Sequence, residues 1–152
     1  MALDEKDRKL LLLLQQDAKK TTKELATELN LSVTAVFERI KKLEKQKYID
    51  KYVALVNKSA LQKDFVVLCH VKLVQHRKDY IVQFEKEIMQ FPEVMECFHV
   101  SGDYDYILKL YLKDIQDYRE FMVTKLTTLE HIASTQSSFS IKEVKNTTVI
   151  DT

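Results

Sequence analysis

The spacing of apolar residues changes after Tyr48, and this change limits what the chain can fold into. Before it, leucine, isoleucine and valine recur every three or four residues, which is the period of amphipathic helices. After it, alternating or continuous apolar runs are separated by two helical segments. The sequence therefore predicts an α+β protein. We assign 1–50 to a helical N-terminal domain, 51–64 to a linker strand and loop, with the strand over about 49–56, and 65–152 to a C-terminal domain.

The N-terminal domain has the signals of three helices. Asp4 can cap the first helix, and Thr21 with Glu24 forms a capping box for the second. Ser32 is a suitable N-cap for the third helix, which we expect to end near Gln46. A short helix, a tight turn and a second helix with a polar, basic outer face are typical of a helix-turn-helix.

Charge is distributed unevenly, although the net charge is only +1. Residues 1–51 contain 12 Lys/Arg and 9 Asp/Glu, a net of +3, whereas residues 52–152 contain 12 and 14, a net of −2. The third helix has the densest excess, with five Lys/Arg against two Glu in residues 32–47. We therefore predict that this domain binds DNA, with a packing unit that has no nucleic-acid role as the alternative.

We expect the third helix to enter the major groove of double-stranded DNA with its N-terminus first, and its later lysines to meet phosphates. Phe37 is the only aromatic residue in 32–47, which disfavours single strands because these need stacking platforms. The predicted DNA-contacting residues are Ser32, Thr34, Ala35, Glu38, Arg39, Lys41, Lys42 and Lys45.

The C-terminal domain is predicted to be a ferredoxin-like βαββαβ sandwich. Two helices cover one face of its sheet, and no helix remains in the sequence for the apolar side chains of the other face. We therefore expect a homodimer that packs sheet on sheet. The predicted strands are 65–74, 94–100, 106–112 and 135–144, with helices at 77–90 and from 114 to about 129.

Gly102 is the only glycine of the chain, and it lies in the predicted hairpin turn between the second and third of these strands. We expect a positive φ there, or a close approach of the backbone to another group. The turn alone can explain the glycine. In the functional interpretation, amides and carboxylates of the turn, with hydroxyls of the last strand, bind a small amino acid. The residues predicted for this effector site are Ser101, Gly102, Asp103, Tyr104, Asp105, Thr135 and Ser137.

Several other classes of protein are excluded or disfavoured. One glycine and one proline cannot build phosphate loops or dinucleotide fingerprints. The aspartates near His99 favour turns, and the two cysteines lack zinc-finger spacing, so we expect no enzyme, no metal site and no cofactor besides a possible amino-acid effector. No apolar run approaches the roughly 20 residues of a membrane span, and no signal peptide is recognisable, so we expect a cytoplasmic protein without a membrane partner.

Motifs from both domains share the pattern of one family of regulators. In the N-terminal domain they are Leu3-Asp4 with Asp7, Leu25-Ala26, Leu31-Ser32, Glu38-Arg39-Ile40-Lys41-Lys42-Leu43-Glu44 and Tyr48-Ile49. In the C-terminal domain they are Val100-Ser101-Gly102-Asp103-Tyr104-Asp105-Tyr106, Tyr118-Arg119 and Glu143-Val144-Lys145. Over about residues 3–146 the sequence thus resembles the leucine-responsive and asparagine-synthetase regulators, the Lrp/AsnC or feast/famine family.

The resemblance implies a prokaryotic transcription factor with a winged-helix-like helix-turn-helix and a RAM-type βαββαβ domain. Such proteins form homodimers and often octamers or other rings of dimers. Their effector amino acids bind between dimers, near the turn and the last strand matched here, and shift assembly and DNA affinity. We therefore predict a sequence-specific regulator that responds to a small effector. A nucleoid-associated architectural protein without a ligand is the first alternative, and a metabolite-binding protein or enzyme is the second.

Three regions depart from the family pattern. Val33 and Ala35 stand where prolines are common near the start of the recognition helix, and Lys47 replaces a glycine. Ser138 and Ser140 replace bulky apolar residues of the last strand. Valine and alanine enter helices and lysine is tolerated in a relaxed turn, so we expect the same fold.

Overall fold

The computed structural model describes residues 3–152, and the chain divides into two compact units. The first unit comprises the chain up to Leu55 together with Val144–Thr152, and the second comprises Val56–Glu143. The last nine residues therefore group with the N-terminal helices, whereas the sequence had assigned them to the C-terminal domain. The side-chain amide of Gln15 explains this grouping, since it donates to Ile150 O (2.9 Å) and accepts from Ile150 N (2.7 Å).

The first unit is helical, and its helices begin at the caps that the sequence predicts. Asp4 accepts a backbone hydrogen bond at the start of the first helix, Thr21 at the start of the second and Ser32 at the start of the third. Asn30 ends the second helix in the left-handed conformation, with φ 53° and ψ 54°. Within residues 3–55 the helices are α1 (Glu5–Gln16), α2 (Thr22–Leu29) and α3 (Val33–Lys45).

Aliphatic side chains from all three helices form the core of the first unit. Burying each leucine contributes about 1.5–3 kcal/mol relative to leaving it exposed. This burial joins the helices but leaves the outer face of α3 in water. The buried residues of this core are Leu10, Leu11, Leu13, Leu25, Ala26, Leu29, Val36 and Leu43.

The predicted strand over 49–56 is wrong. In the described chain these residues have no regular secondary structure, although their apolar side chains alternate. A strand needs a neighbour to take its backbone hydrogen bonds, and none of the four strands in residues 3–152 pairs with this segment. Ile49 packs against the core of the first unit, but the later apolar residues stay exposed, with Val53 61% and Leu55 71% accessible. No wing strand therefore follows α3 in the described residues.

The second unit, residues 56–143, is an antiparallel sheet of four strands in the order β2-β3-β1-β4. This order and the alternation with helices confirm the ferredoxin-like βαββαβ prediction. Asp114 caps the last helix, as expected, by accepting from the amides of Gln116 and Asp117. The elements are β1 (Phe65–Leu73), α4 (Lys78–Ile88), β2 (Val94–His99), β3 (Tyr106–Leu112), α5 (Ile115–Thr124), a short 3-10 turn (Leu126–Thr128) and β4 (Ile132–Phe139).

The last strand ends five residues earlier than the sequence predicts. Phe139 pairs with Val67 of β1, and the Ser140 amide still reaches Val66 O at 2.9 Å. The two strands are antiparallel and β1 begins at Phe65, so the chain after Ser140 runs past the start of β1 and has no strand left to pair with. The predicted extension to residue 144 therefore fails for lack of a partner strand.

The two faces of the sheet differ. Inward-facing residues of β1 and β3, such as Cys69 and Leu108, are fully buried against Phe84 of α4 and Phe121 of α5. On the opposite face, Leu68 is 40% and Phe98 is 52% exposed. Lys109 and Glu96 form an ion pair of 2.8 Å across that face. The sheet therefore presents a mixed apolar and charged surface on its outer side.

Candidate nucleic-acid interface and effector site

The outer face of α3 is polar and basic. At 100° per residue, Thr34, Glu38, Lys41 and Lys45 lie within about 60° of one another, opposite Val36. All four are exposed, and Val36 is fully buried. Lys41 has a side chain 59% exposed and pairs at 3.3 Å with Glu44 three residues on. Exposed pairs of this kind contribute at most about 1 kcal/mol, so the ammonium group is available to a phosphate.

The start of α3 offers backbone donors as well. Ser32 Oγ accepts from Ala35 N at 3.1 Å, which confirms the predicted N-cap. Ser32 is exposed and Ala35 is half-buried at this helix end. The N-terminus of a helix carries partial positive charge and unpaired amides that suit a phosphate oxygen. Ser32 therefore orders the end of α3, and its contact with DNA stays a prediction.

Two of the predicted DNA contacts instead face α1. Arg39 Nη1 lies 2.7 Å from Asp4 Oδ2 and 2.5 Å from Asp7 Oδ1. Lys42 Nζ lies 3.1 Å from Asp7 Oδ2. Arg39 and Lys42 thus have carboxylate partners inside their own unit, which the sequence analysis did not anticipate. We call Asp4, Asp7, Arg39 and Lys42 the ion-pair cluster.

Hydrogen bonds from the two cations favour the charged form of both carboxyl groups in the ion-pair cluster. Burial by itself raises the pKa of Asp7, but hydrogen bonds from Arg39 and Lys42 outweigh it and hold the pKa below its ordinary value. The Arg39 hydrogen bond lowers the pKa of Asp4, and these contacts raise that of Arg39. Asp7 is 0% exposed, so its negative charge relies on the two cations rather than on water.

A signal for this cluster is present in the sequence. Leu3, Asp7, Leu10 and Leu14 follow one another at spacings of four, three and four, which places Asp7 on the apolar stripe of α1. Charged residues are almost never fully buried unless they are paired. The position of Asp7 therefore indicates a cationic partner, although it does not identify which one.

Lysines of α1 also contact the end of α2. Lys6 Nζ donates to Leu29 O at 2.6 Å, and Lys9 Nζ donates to Glu28 O at 3.2 Å. The last carbonyls of a helix lack partners within it, and cations there also suit the helix dipole. The first helix therefore holds both helices of the helix-turn-helix through charged side chains, a role that the sequence analysis missed.

The hairpin turn of the second unit has the geometry expected at Gly102. Its φ is +133°, and apart from the residues on either side no atom lies within 4 Å of the place where a Cβ would stand. The glycine is therefore required by the backbone conformation and not by crowding. Ser101 and Asp103 on either side are exposed, so their polar groups face solvent.

Tyr104 and Asp105 fix the turn to the sheet. Asp105 is 7% exposed, and its carboxylate accepts from Leu73 N at 2.7 Å and lies 2.6 Å from His76 Nε2. Tyr104 donates its hydroxyl to Gln136 Oε1 at 2.7 Å. Both residues are thus engaged inside the chain, which leaves Ser101 to Asp103 as the exposed part of the predicted site.

The predicted hydroxyls of β4 lie on the other side of the sheet from Gln136. Thr135 stands opposite Val71, and Ser137 stands opposite Cys69, so both point toward the helices. The Ser137 hydroxyl is hydrogen-bonded to the hydroxyl of Tyr118 of α5. A single chain therefore does not bring the seven predicted effector residues into one site, because side chains alternate along a strand.

Sequence comparison covers both units. Residues 3–50 match a family model for a winged helix-turn-helix DNA-binding domain, and residues 66–150 match one for the Lrp/AsnC ligand binding domain. The chain belongs to the Lrp/AsnC family. It is thus a DNA-binding transcriptional regulator with a ligand-binding domain, as the resemblance implied.

Relatives and a solved structure agree with the Lrp/AsnC assignment. The leucine-responsive regulatory protein of Haemophilus influenzae is 37% identical over 146 residues, which cover 96% of this chain and 88% of that protein. The Bkd operon transcriptional regulator of Pseudomonas aeruginosa is 34% identical over 142 residues, 93% of each chain. A transcriptional regulator from Neisseria meningitidis, solved as a complex with L-methionine, has a TM-score of 0.94 at 30% identity and covers 98% of this chain and 96% of its own.

The described part of the chain has neither a metal-binding cluster nor a membrane-spanning helix. Within residues 3–152 no group of three or more His, Cys, Asp or Glu side chains is placed to hold a metal ion. Over the same residues no helix has the length and apolar character to cross a bilayer.

Proposed function

We propose that this Lrp/AsnC regulator reads specific duplex DNA with α3, and that a small amino acid bound by its second unit changes its assembly and DNA affinity. The basic outer face of α3, on a helix-turn-helix with ordered caps, is the observation that carries the proposal. The relative solved with L-methionine supports an amino acid as the effector class. No catalytic step and no cofactor enter the proposal, and the protein works in the cytoplasm.

The DNA contacts divide by their place on α3. Thr34 and Glu38 are exposed in the first two turns and meet base edges, with Ala35 beside them. Lys41 and Lys45 lie further along the same face and meet phosphates. Each phosphate neutralised contributes about 0.9 to the slope of log affinity against log salt concentration.

The effector contacts centre on the Gly102 turn. The Asp103 carboxylate suits the ammonium group of an amino acid, and the backbone amides of the exposed residues Ser101 to Asp103 suit its carboxylate. Tyr104 and Asp105 position the turn through their bonds to Gln136 and Leu73. Thr135 and Ser137 of β4 point toward the helices in a single chain and are not part of the site we propose, which residues of a second dimer complete.

The assembly state of the protein links effector binding to DNA affinity. Leu68 and Phe98 on the outer face of the sheet provide apolar area for a sheet-on-sheet homodimer. Dimers then associate into an octamer or another ring. An amino acid can change this equilibrium only by the difference between its affinities for the two arrangements.

Thermal stability and oligomer mass, measured against the twenty amino acids, test the effector part of the proposal. A ligand at 100 times its Kd stabilises the folded assembly by about 2.7 kcal/mol, so one amino acid should raise Tm and change the mass. Asp103→Asn should abolish this response. Asp64→Asn, directly before β1, should keep the response. If no amino acid raises Tm or changes the mass, the second unit is a dimerisation platform and the effector proposal fails.

A further inference from the structure

We propose that Asp7, assisted by Asp4, is a positioning residue for DNA binding. It holds Arg39 and Lys42, and these two cations orient α3 instead of neutralising DNA phosphates. The inference rests on the proposed contact between α3 and DNA. It also changes the role that the sequence suggested for two basic residues of that helix.

The ion-pair cluster has a geometry that defines the placement of α3. Arg39 and Lys42 are three residues apart, so their side chains leave α3 from successive turns. One oxygen of Asp7 faces Arg39 and the other faces Lys42, at 2.5 Å and 3.1 Å. A single carboxylate therefore spans one turn of α3, and a rotation or slide of the helix would break at least one of these bonds. Asp4 adds a second acceptor for the same Arg39 nitrogen at 2.7 Å.

The burial of Asp7 opposes release of either cation to DNA. Its side chain is 0% exposed, whereas those of Arg39 and Lys42 are 26% and 31% exposed. If a phosphate took Arg39 or Lys42, the buried carboxylate would lose a charge partner in a place that water does not reach. Lys41, by contrast, leaves behind Glu44, whose side chain is 32% exposed and is still reached by water.

The direction of the side chains agrees with this division of roles. Counted from Val36 at 100° per residue, Arg39 and Lys42 lie on the flank of α3, about 60–120° from the buried side. Lys41 and Lys45 lie about 140–180° from it, at the centre of the outer face. The flank contacts α1, and the centre of the outer face is available to the groove.

Substitution of Asp7 by asparagine separates three possible roles by the sign of its effect. Asp7→Asn keeps the shape and removes the charge. The wild-type protein first selects a duplex from a random pool, and affinities for this duplex and a scrambled one are then measured over a salt series, well below Tm. Glu5→Gln is the matched control, because Glu5 is an exposed acid in the same turn of α1.

We expect Asp7→Asn to bind the selected duplex at least tenfold more weakly, with an unchanged salt slope and with scrambled-duplex affinity within threefold of wild type. Glu5→Gln should stay within threefold for both duplexes. Tighter binding with a steeper slope would show that Asp7 shields phosphate-binding cations, and would overturn the proposal. Unchanged affinity with a lowered Tm would overturn it as well, since Asp7 would then serve stability alone.

Three further variants keep the test decisive if Asp7→Asn folds poorly. Asp4→Asn removes the half-exposed partner and leaves Lys42 paired, so we expect a smaller loss for the selected duplex at an unchanged slope. Arg39→Ala should likewise leave the slope unchanged, whereas Lys41→Ala should reduce it by about 0.9. An equal reduction of the salt slope in Arg39→Ala and Lys41→Ala would show that Arg39 contacts phosphate, and would overturn the proposal. Failure of the wild type to prefer any duplex would instead reject the proposed function.

Discussion

The two units of this protein hold their functional elements in place by different interactions. In the first unit, α3 packs on a core whose buried side chains, among the described residues, are all aliphatic. Charged side chains of α1 hold the flank of α3 by ion pairs. In the second unit, the sheet and its helices share a core with ring contacts such as Phe84 with Tyr106, at 4.6 Å between centroids. Its buried carboxylate, Asp105, accepts from the backbone amide of Leu73.

This difference separates the conditions to which each unit responds. The free energy that an ion pair contributes depends on protonation and, where the pair reaches solvent, on salt concentration. The free energy of burying apolar area depends on neither to first order. The orientation of the DNA-reading helix should therefore be sensitive to acid, whereas the apolar core of the second unit should not. Experiments that perturb one kind of interaction at a time can break or sharpen this comparison.

The largest effect is expected in the apolar core of the second unit. Phe84 is 1% exposed and packs against Tyr106, so Phe84→Ala should reduce the free energy of unfolding by about 3–5 kcal/mol. Urea unfolding at several pH values and salt concentrations measures this loss, which should be the same in all. Val82→Ala, on the exposed side of α4, should change it by less than about 0.5 kcal/mol. A loss for Phe84→Ala that varies strongly with pH would contradict the comparison.

A smaller loss, dependent on pH, is expected at the ion-pair cluster. Because the cations of Arg39 and Lys42 can still reach water, Asp7→Asn should cost about 2–3 kcal/mol at neutral pH. The pKa of Asp7 is lowered in the folded state, so its contribution is present above the ordinary value of 3.8 and is lost as pH falls through the folded pKa. The difference between wild type and variant in urea unfolding should thus shrink below about pH 4. A difference that stays constant to pH 3 would refute the charge-based account.

The sequence predicts interactions between residues close together in the chain, and it fails where the partner is far away in the chain. The caps at Asp4, Thr21 and Ser32 are local, since each side chain bonds an amide three residues away, and all three predictions are confirmed. The strand predicted over 49–56 is wrong because pairing requires a distant partner, which an alternating pattern does not reveal.

The candidate sites show the same limit. The sequence shows that α3 is basic and amphipathic, which identifies the outward residues Thr34, Glu38, Lys41 and Lys45. It could not assign Arg39 and Lys42 to carboxylates more than thirty residues away in the chain. Likewise, the sequence could not show that the hydroxyl of Ser137 is hydrogen-bonded to the hydroxyl of Tyr118.

A smaller loss of stability is expected at the Gly102 turn, and it should come from backbone conformation alone. Gly102→Ala places a side chain at φ +133°, and we expect a loss of about 1–2 kcal/mol although no neighbouring atom is in the way. Thermal unfolding measures the loss, and Ser101→Ala in the same turn should cost less than about 0.5 kcal/mol. Equal stabilities of Gly102→Ala and wild type would mean that the backbone adopts another conformation there, and that the glycine is not needed for the turn.

The smallest expected effect is a gain in the first unit. Lys47 has φ 62°, at the position where the family commonly has glycine, so Lys47→Gly should relieve strain and raise the free energy of unfolding by about 0.5–1 kcal/mol. Lys45→Gly, at a helical position of α3 two residues earlier, should lower it by a similar amount. Urea unfolding of the pair decides the matter, and losses in both variants would remove Lys47 as a strained position.

Affinity for a selected duplex, with and without amino acid, tests the central claim most directly. The claim is that α3 reads DNA sequence and that an amino acid on the second unit changes this binding. A duplex selected by the wild type should bind about a thousandfold more tightly than its scrambled counterpart, and an amino acid such as methionine should change that affinity at least fivefold. Equal affinity for both duplexes, unaffected by any of the twenty amino acids, would contradict the claim and favour an architectural DNA-binding protein.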